Sequence, residues 1–285
     1  MPLSRSDVHG RSTPARQRRP THRFRSDSTP AGARDADSGG ASGGSTARRV
    51  GSYTTARVTG GRVERVERHA GRLQRDAARL RLPLPERVAI ESLFFETAHE
   101  TFGAGDGIVR IEWSKRPGGE PELISTTRAL GPDPDRYCAR TSKLTHPGAE
   151  HRHNTKFVQV EIYDLARDEA REAGIDEVLL FDGDGLLVEG GASNFIVVTE
   201  DGQVVTPATE LGCVEGLGLG VVLDSRPEIE GEAITRDDLA SARELMACNG
   251  VRGVVPIIEL DGRPVADGRP GVWARKLRPI FFREV

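Results

Sequence analysis

The pattern of apolar and polar positions divides the chain at about residue 49. Residues 1–48 consist mainly of Ser, Thr, Gly, Pro and Arg and have almost no apolar positions. Such a segment buries too little apolar surface to offset the entropy lost on ordering, so we predict a disordered tail over residues 1–48. An Arg cluster over 16–25 is typical of an organelle-targeting peptide or a nucleic-acid-binding tail, but nearby acidic residues favour a solvated tail.

Apolar periodicity predicts strands and helices from residue 49 to about 150. Two alternating stretches, 51–58 and 62–66, flank the turn pair Gly60-Gly61 and predict a hairpin. A helix that ends at Pro83, a second helix over 87–101 and a strand over 108–113 follow. We therefore expect a small N-terminal α/β domain over residues 49–150.

A second set of elements occupies residues 151–285. Apolar residues spaced by three and four predict a long helix over 156–173, with Gly174 as its C-terminal cap. Short apolar runs between Gly- and Asp-rich turns then predict buried strands, and we expect a larger C-terminal domain. A glycine-rich loop over 212–220 leads into an apolar helix, and its backbone N–H groups would suit a phosphate, although glycine spacing alone is a weak signal.

Overall composition argues against several classes of partner. The formal net charge of −3 gives no case for nucleic acid, and no apolar run approaches the roughly 20 residues of a membrane helix. Cys138, Cys213 and Cys248 are far apart and lack the spacing of metal ligands. We therefore interpret them as reduced thiols of a cytoplasmic protein without a metal site.

The run LLVEGGASNFIVV, residues 186–198, places one carboxylate, Glu189, between two apolar strands. A buried carboxylate is costly unless a cation or a proton-bearing nitrogen meets it. The pyridinium nitrogen of pyridoxal phosphate is one such partner, and this cofactor also requires a lysine as its Schiff base. Glu189, together with Lys156 upstream, is therefore a candidate cofactor site.

Four ordered motifs over roughly residues 50–262 resemble those of the class IV aminotransferases, which are fold-type-IV pyridoxal-phosphate enzymes. EGGASNFIVV matches the family's EGxxSN marker and the strand that follows it. The other three motifs are GSYTTARVTGGRVERVERHAGRL, TPATELGCVEGLGLGVVL and ACNGVRGVVPIIELDG. The resemblance implies an α+β fold of two domains, the larger C-terminal one having a β-barrel-like core.

The same resemblance implies a role for each matching residue. Lys156 lies 33 residues before Glu189, at the head of the predicted helix, and takes the place of the Schiff-base lysine; the guanidinium of Arg152 cannot do so. Glu189 would pair with the pyridine nitrogen and Arg72 with the phosphate. The other implied cofactor-binding residues are Ser193, Asn194, Leu217, Gly218, Asn249 and Gly250. Tyr53 and Arg110 are candidate substrate-binding residues, and His69 is interpreted as structural.

These roles imply an aminotransferase that uses pyridoxal 5′-phosphate to move an amino group between an amino acid and a 2-oxoacid. Two alternatives stay open: a 4-amino-4-deoxychorismate lyase, and a non-catalytic relative that keeps the fold. The resemblance also implies a homodimer with its pocket near the subunit interface. Thr54 stands where the family often has Glu, and Gly218 where it often has Thr or Arg, so the sequence leaves the substrate open.

Overall fold

The computed structural model describes residues 23–24, 49–152 and 154–282. Most of the tail predicted over residues 1–48 therefore lies outside the described residues. Within it, Arg23–Phe24 forms a short strand, β1, which pairs in parallel with residues 124 and 125. None of the helices in these three ranges combines the length and apolarity of a membrane span.

The first sheet has five strands in the order β1-β5-β4-β2-β3, and two helices pack on it. Its other elements are β2 (Val50–Thr59), β3 (Arg62–Val63), α1 (Val66–Arg79), α2 (Arg87–Phe102), β4 (Gly107–Lys115) and β5 (Glu122–Arg128). The predicted hairpin, both helices and the strand over 108–113 are confirmed. Leu73 of α1, Phe94 of α2 and Ile111 of β4 are fully buried in one apolar cluster, which joins the helices to the sheet.

The second sheet has nine strands, eight of them in the order β11-β10-β9-β12-β13-β6-β7-β8, with β14 paired to β13. Its strands are β6 (Tyr137–Thr145), β7 (Glu177–Phe181), β8 (Leu187–Gly190), β9 (Asn194–Val198), β10 (Val204–Pro207), β11 (Glu230–Glu232), β12 (Glu244–Asn249), β13 (Gly253–Leu260) and β14 (Arg263–Pro264). The helices around it are α3 (Ala149–Arg152), α4 (Glu161–Ala173), α5 (Leu217–Ser225), α6 (Arg236–Ser241) and α7 (Val272–Phe282), with a 3₁₀ turn at Thr209–Leu211.

This second sheet curls on itself. Strand β8 at one end packs against β9 and β10 near the other end, and the side chains of Leu179, Phe195 and Leu245 fill the interior. Two curled, mixed sheets with helices on their outer faces confirm the predicted α+β fold with a barrel-like second unit.

The chain changes sheet between β5 and β6. Strand β6 pairs with β13 and β7, so residues 137–145 belong to the second sheet although they precede the boundary predicted at residue 150. The division of the chain into two domains stays a prediction, and we propose that it falls in the connection over residues 129–136.

The helix predicted over 156–173 begins later than expected. Strand-like backbone replaces its first turn, because the N–H of Tyr53 donates to Lys156 O over 3.0 Å and the N–H of Val158 donates to Gly51 O over 3.1 Å. Helix α4 starts at Glu161 and ends at Gly174, whose φ of 66° confirms the predicted left-handed cap. The expectation that Lys156 heads a helix is therefore wrong; Lys156 lies in an extended segment bound to β2.

Candidate active site

A cavity of about 620 Å³ lies between the two sheets and collects most of the residues singled out in the sequence. Those that line it are Tyr53, Arg72, Arg110, Lys156, Glu189, Ser193, Asn194, Leu217, Asn249 and Gly250. Gly218 is the exception. It lies one residue further into α5, against the backbone of Asn249, where an added Cβ would come within 2.4 Å of Asn249 O.

Three hydrogen bonds fix the main chain over residues 156–158. Besides the two bonds to β2, the N–H of Lys156 donates to Oδ2 of Asp76 over 3.3 Å. Asp76 lies on α1 and is 2% exposed; burial raises the pKa of this carboxyl, while Arg72 opposes the rise. The main chain of Lys156 is therefore fixed to both a strand and a helix, so its side chain is presented to the cavity from a rigid base.

Tyr53 and Arg110 form one wall beside that lysine. Nζ of Lys156 lies 4.8 Å from the centre of the Tyr53 ring, and the Arg110 guanidinium stacks on the same ring at 3.6 Å. Burial opposes ionisation of Tyr53, but the cations Lys156, Arg110 and Arg167 outweigh it and lower the pKa of the phenol. This wall is therefore rich in positive charge.

Glu189 also lines the cavity and is 4% exposed. The hydroxyl of Tyr163 donates to its Oε1, and the N–H of Val214 donates to its Oε2 over 3.1 Å. Nε2 of His146 lies 3.3 Å from Oε1. The carboxylate that the sequence leaves without a partner is thus met by three groups of its own chain.

The N-terminus of α5 and Arg72 form a cup suited to phosphate. No side chain caps α5, so the N–H groups of its first turn are open to an anion, and the helix dipole adds positive charge there. Arg72 is buried on α1 and donates to the carbonyl oxygen of Glu215, next to this helix end. Burial lowers the pKa of Arg72 to about 10, against the opposing effect of Asp76, so the guanidinium is charged near neutral pH.

Glycines give the cup its shape. A Cβ on Gly216 would fall 1.7 Å from Oδ1 of Asn194, whose Nδ2 donates to Val214 O over 2.9 Å. The loop before α5 can therefore pass against Asn194 only because residue 216 has no side chain.

A second buried carboxylate, Glu177, organises the turn after Glu189. Its Oε1 accepts from the N–H groups of Gly191 over 2.9 Å and Val178 over 3.1 Å. Burial raises the pKa of Glu177 to about 7, although hydrogen bonds from Ser193 and from the turn oppose the rise. Glu177 therefore fixes the shape of the turn that follows Glu189.

Asn249 orders the opposite turn. Its Oδ1 accepts from the N–H of Val251 over 3.0 Å and of Arg252 over 2.8 Å, while its Nδ2 donates to Ser193 Oγ over 3.3 Å. Gly250 then faces the Cβ of Leu217, so this turn and the N-terminus of α5 lie side by side. The side chain of Asn249 thus links the two turns, and the main chain of Gly250 faces the cavity.

His69 lies behind this cup on α1 and is 2% exposed. Its Nδ1 lies 2.6 Å from the hydroxyl of Thr54, and burial lowers its pKa to about 3, helped by Arg72. The ring is therefore neutral at ordinary pH and packs as a structural residue, in agreement with the sequence-based interpretation.

Arg128 and Arg252 add two cations to the cavity wall that the motifs did not single out. Arg252 is held by Asp133, at 3.0 Å, and by the carbonyls of Gly131 and Pro132. The guanidinium of Arg128 donates no hydrogen bond within the described part of the chain. Desolvation lowers its pKa, and the charge of Arg252 lowers it further.

Sequence reasoning missed His146, Tyr163, Glu177, Asp76 and Arg128. Glu177 carried a usable signal, because it opens a strand whose other four residues are apolar and buried. His146 carried none, since it lies 43 residues from Glu189 and only the pairing of β6 with β7 brings it close.

The chain belongs to the class IV aminotransferase family, whose model matches residues 51–260. A branched-chain-amino-acid aminotransferase of Pseudomonas aeruginosa is 32% identical over 122 residues, 41% of this chain and 39% of that protein. A putative branched-chain-amino-acid aminotransferase of Methanocaldococcus jannaschii is 32% identical over 121 residues, 41% of this chain and 42% of that protein. The matched stretch thus spans about two fifths of these curated relatives.

Solved structures share the fold over most of the chain. A fold IV-transaminase from Curtobacterium pusillum has a TM-score of 0.68 and 25% identity, covering 81% of this chain and 83% of that one. An aminotransferase from Brucella abortus bound to PLP has a TM-score of 0.70 and 22% identity, covering 81% and 88%. A putative 4-amino-4-deoxychorismate lyase from Legionella pneumophila has a TM-score of 0.71 and 16% identity, covering 80% and 88%.

Enzymes of this family depend on pyridoxal phosphate, and the cavity fits that cofactor. Its phosphate is matched by the uncapped end of α5 and by Arg72, where Gly216 leaves a cradle that a Cβ would fill. Its ring nitrogen is matched by the buried carboxylate of Glu189, and its aldehyde by the amine of Lys156; both residues line the cavity. The donor set of this chain therefore agrees with the cofactor.

Proposed function

We propose that this protein is a pyridoxal-phosphate-dependent aminotransferase that moves an amino group between an amino acid and a 2-oxoacid. The observation that carries the proposal is the meeting of Lys156, Glu189 and the uncapped end of α5 around one cavity. The sequence has four lysines, Lys115, Lys143, Lys156 and Lys276, and Lys156 is the one that lines this cavity.

Each residue then has a defined task. Pyridoxal phosphate, when bound, supplies an electron sink for the carbanion formed at the substrate Cα. Lys156 would hold the cofactor, and its Nζ would take the Cα proton, because the fixed main chain presents this side chain to the cavity. Glu189 would keep a proton on the ring nitrogen, while Arg72 and the amides of α5 would hold the phosphate.

Substrate carboxylates suit the remaining wall. The cationic side chains that line the cavity are Arg72, Arg110, Lys156, Arg128, Arg167 and Arg252, against the single carboxylate of Glu189. We propose that Tyr53 and Arg110 contact the substrate, since the guanidinium is stacked on the ring and both face the cavity. Positive charge there attracts anionic amino acids and 2-oxoacids and draws them into the site.

The test is a reconstitution with pyridoxal phosphate followed by amino transfer from a panel of amino acids to 2-oxoglutarate and pyruvate. We expect transfer by the wild type and a loss of at least about a thousandfold in Lys156→Ala, since the base and the attachment point both disappear. Lys143→Ala, which removes an exposed lysine outside the cavity, is the matched control. A wild type that binds no cofactor would contradict the proposal, and pyruvate release from aminodeoxychorismate without an acceptor would indicate the lyase.

We also propose that the protein is a cytoplasmic homodimer. The free thiols of Cys138, Cys213 and Cys248 suit a reducing compartment, and the family resemblance supports the dimer. Light scattering on the purified protein measures the assembly, and a monomer at micromolar concentration would contradict the dimer.

A further inference from the structure

The carboxylate of Glu189 has nearly all its hydrogen-bonding capacity filled by its own chain. Tyr163 and His146 both meet Oε1, and the N–H of Val214 meets Oε2. A carboxylate offers about four lone-pair sites, two on each oxygen. Oε1 is therefore filled, and one lone pair of Oε2 is left for a ligand.

This count depends on which ring nitrogen of His146 carries the proton. The N–H of Gly148 donates to Nδ1 of His146 over 3.1 Å, so Nδ1 must be an acceptor. In the neutral ring the proton then lies on Nε2, and Nε2–H donates to Oε1 of Glu189 over 3.3 Å. Had the proton been on Nδ1, Nε2 and the carboxylate would face each other as two acceptors.

The main chain fixes His146 in this position. Its N–H donates to Phe181 O over 2.7 Å, at the end of β7, and Gly148 adopts a φ of 78° that brings its own N–H back to the ring. The His146 side chain is fully buried, and its ring lies 6.5 Å from that of Tyr163. Its orientation is therefore set by the junction of β6 and β7, before any ligand binds.

We propose that His146 is a positioning residue for Glu189: as the Nε2–H tautomer it holds Oε1, so that Oε2 presents one lone pair to a proton-bearing ring nitrogen. The inference rests on the proposed function for the identity of that ligand, but the His146–Glu189 contact itself does not. A carboxylate held in one orientation binds one planar ring in one orientation.

A pair of substitutions separates the two contacts of the ring. His146→Asn places an acceptor where Nδ1 was and can keep the Gly148 contact, but it is too short to reach Glu189. His146→Gln places an amide N–H where Nε2 was and can keep the Glu189 contact. We expect pyridoxal 5′-phosphate to bind about tenfold more weakly to His146→Asn, the effect of losing one hydrogen bond to a charged group. His146→Gln should stay within about twofold of the wild type, and only in His146→Asn should the cofactor absorbance change its pH dependence.

A second measurement uses the cofactor-free protein. Long-range proton–nitrogen correlation spectra of histidine-labelled protein, assigned with His146→Gln, report the tautomer directly, and we expect the proton on Nε2. A proton on Nδ1, or equal cofactor affinity in His146→Asn and His146→Gln, would overturn the proposal. Should His146→Asn fail to fold, two measurements test the proposal: the tautomer of His146 in the wild type, and the affinity of His146→Gln for pyridoxal 5′-phosphate. If the wild type binds no cofactor, both the proposed function and the role of His146 in cofactor binding are refuted. A proton on Nε2 would in that case still support the contact between His146 and Glu189.

Discussion

Two groups of residues around the cavity, which we call the Glu189 end and the cationic end, differ in how far the chain itself pairs their charged groups. At the Glu189 end, three donors meet one carboxylate, and Glu177 holds the next turn by accepting from the N–H of Gly191. At the cationic end, several cations line the same cavity: Arg110 stacks on Tyr53 beside Lys156, and Arg128 is repelled by Arg252.

The difference shows which interactions the chain makes by itself, the hydrogen bonds to Glu189, and which a ligand supplies, a negative charge among the cations. The donors to Glu189 are in place before any ligand binds, whereas the cationic end of the cavity lining has more cations than carboxylates, an excess that an anionic ligand would offset. We therefore expect changes at the Glu189 end to alter stability and cofactor binding. Changes at the cationic end should alter substrate binding and leave the fold intact.

The largest expected effect is on the pH dependence of stability, through Glu177. Its pKa is raised from 4.5 to about 7, so the folded protein binds this proton more tightly than the unfolded chain does. The stabilisation is fully present below about pH 4.5 and is lost as the pH rises through 7, an effect of about 3 kcal/mol. Glu177→Gln, which keeps an oxygen to accept from Gly191, should lack this loss. Relative to the wild type, its free energy of unfolding should therefore rise by about 3 kcal/mol between pH 4.5 and 8.

Denaturant unfolding at a series of pH values measures this difference. Exposed Glu200→Gln is the control for the removal of one carboxylate from the surface. If Glu177→Gln and the wild type lose stability in parallel as the pH rises, the pKa of Glu177 is not raised by folding. The difference that we describe between the Glu189 end and the cationic end would then be contradicted at Glu177.

The next effect concerns the phosphate cup. Gly218→Ala adds a Cβ within 2.4 Å of Asn249 O, which forces α5 and the turn at Asn249 apart. We expect a loss of about 2 kcal/mol in stability, typical of overpacking, and a cofactor affinity at least about tenfold weaker. Gly220→Ala makes the same change two residues further along α5, where the nearest atom is the flexible end of Arg68 at 4.0 Å.

Thermal unfolding and cofactor titration of both variants test this prediction. Gly220→Ala should keep cofactor affinity and gain up to about 1 kcal/mol in stability, because alanine is the better helix former. Equal cofactor affinities in Gly218→Ala and Gly220→Ala would show that the contact between the two turns has no bearing on the phosphate.

The smallest expected effect lies at the cationic end. Arg128→Gln removes a guanidinium that has no hydrogen-bond acceptor in the described residues, so we expect unchanged stability and cofactor affinity. The KM for an anionic amino acid should rise about tenfold while kcat changes little, because the contact is made equally in the bound and reacting states. Arg140→Gln, an exposed arginine outside the cavity, is the control. A fall in kcat with constant KM would instead place Arg128 among the reacting groups.

Local sequence patterns predicted much of the fold, because in most segments the spacing of apolar residues matches the helix or strand that the segment forms. The residues present are enough to predict three features: the strand Glu177–Phe181, the helix cap at Gly174 and the turn at Gly60-Gly61. The first turn expected before Glu161 was wrong. Lys156 accepts a hydrogen bond from β2 and Val158 donates one to β2, and these bonds between segments far apart in sequence outweighed the local helical spacing.

Site residues that belong to a sequence motif could be predicted. Residues that reach the site only through the packing of distant segments could not. Lys156, Glu189 and Arg72 were found by resemblance and spacing, and they line one cavity. His146 and Asp76 support those residues, yet no local pattern marks a histidine before a Pro-Gly turn or an aspartate within an Arg-rich helix. Contacts such as Asp76 to the main chain of Lys156, 80 residues apart, come from sheet and helix packing alone.

The central claim is that Lys156 holds the cofactor in the cavity that Glu189 also lines. Borohydride reduction of the protein with bound pyridoxal phosphate, followed by peptide mapping, locates the attachment directly among the four lysines of the chain. The account predicts a phosphopyridoxyl group on Lys156 and none on Lys143, which lies outside the cavity. Labelling of Lys115, Lys143 or Lys276 in place of Lys156, or no labelling at saturating cofactor, would contradict it.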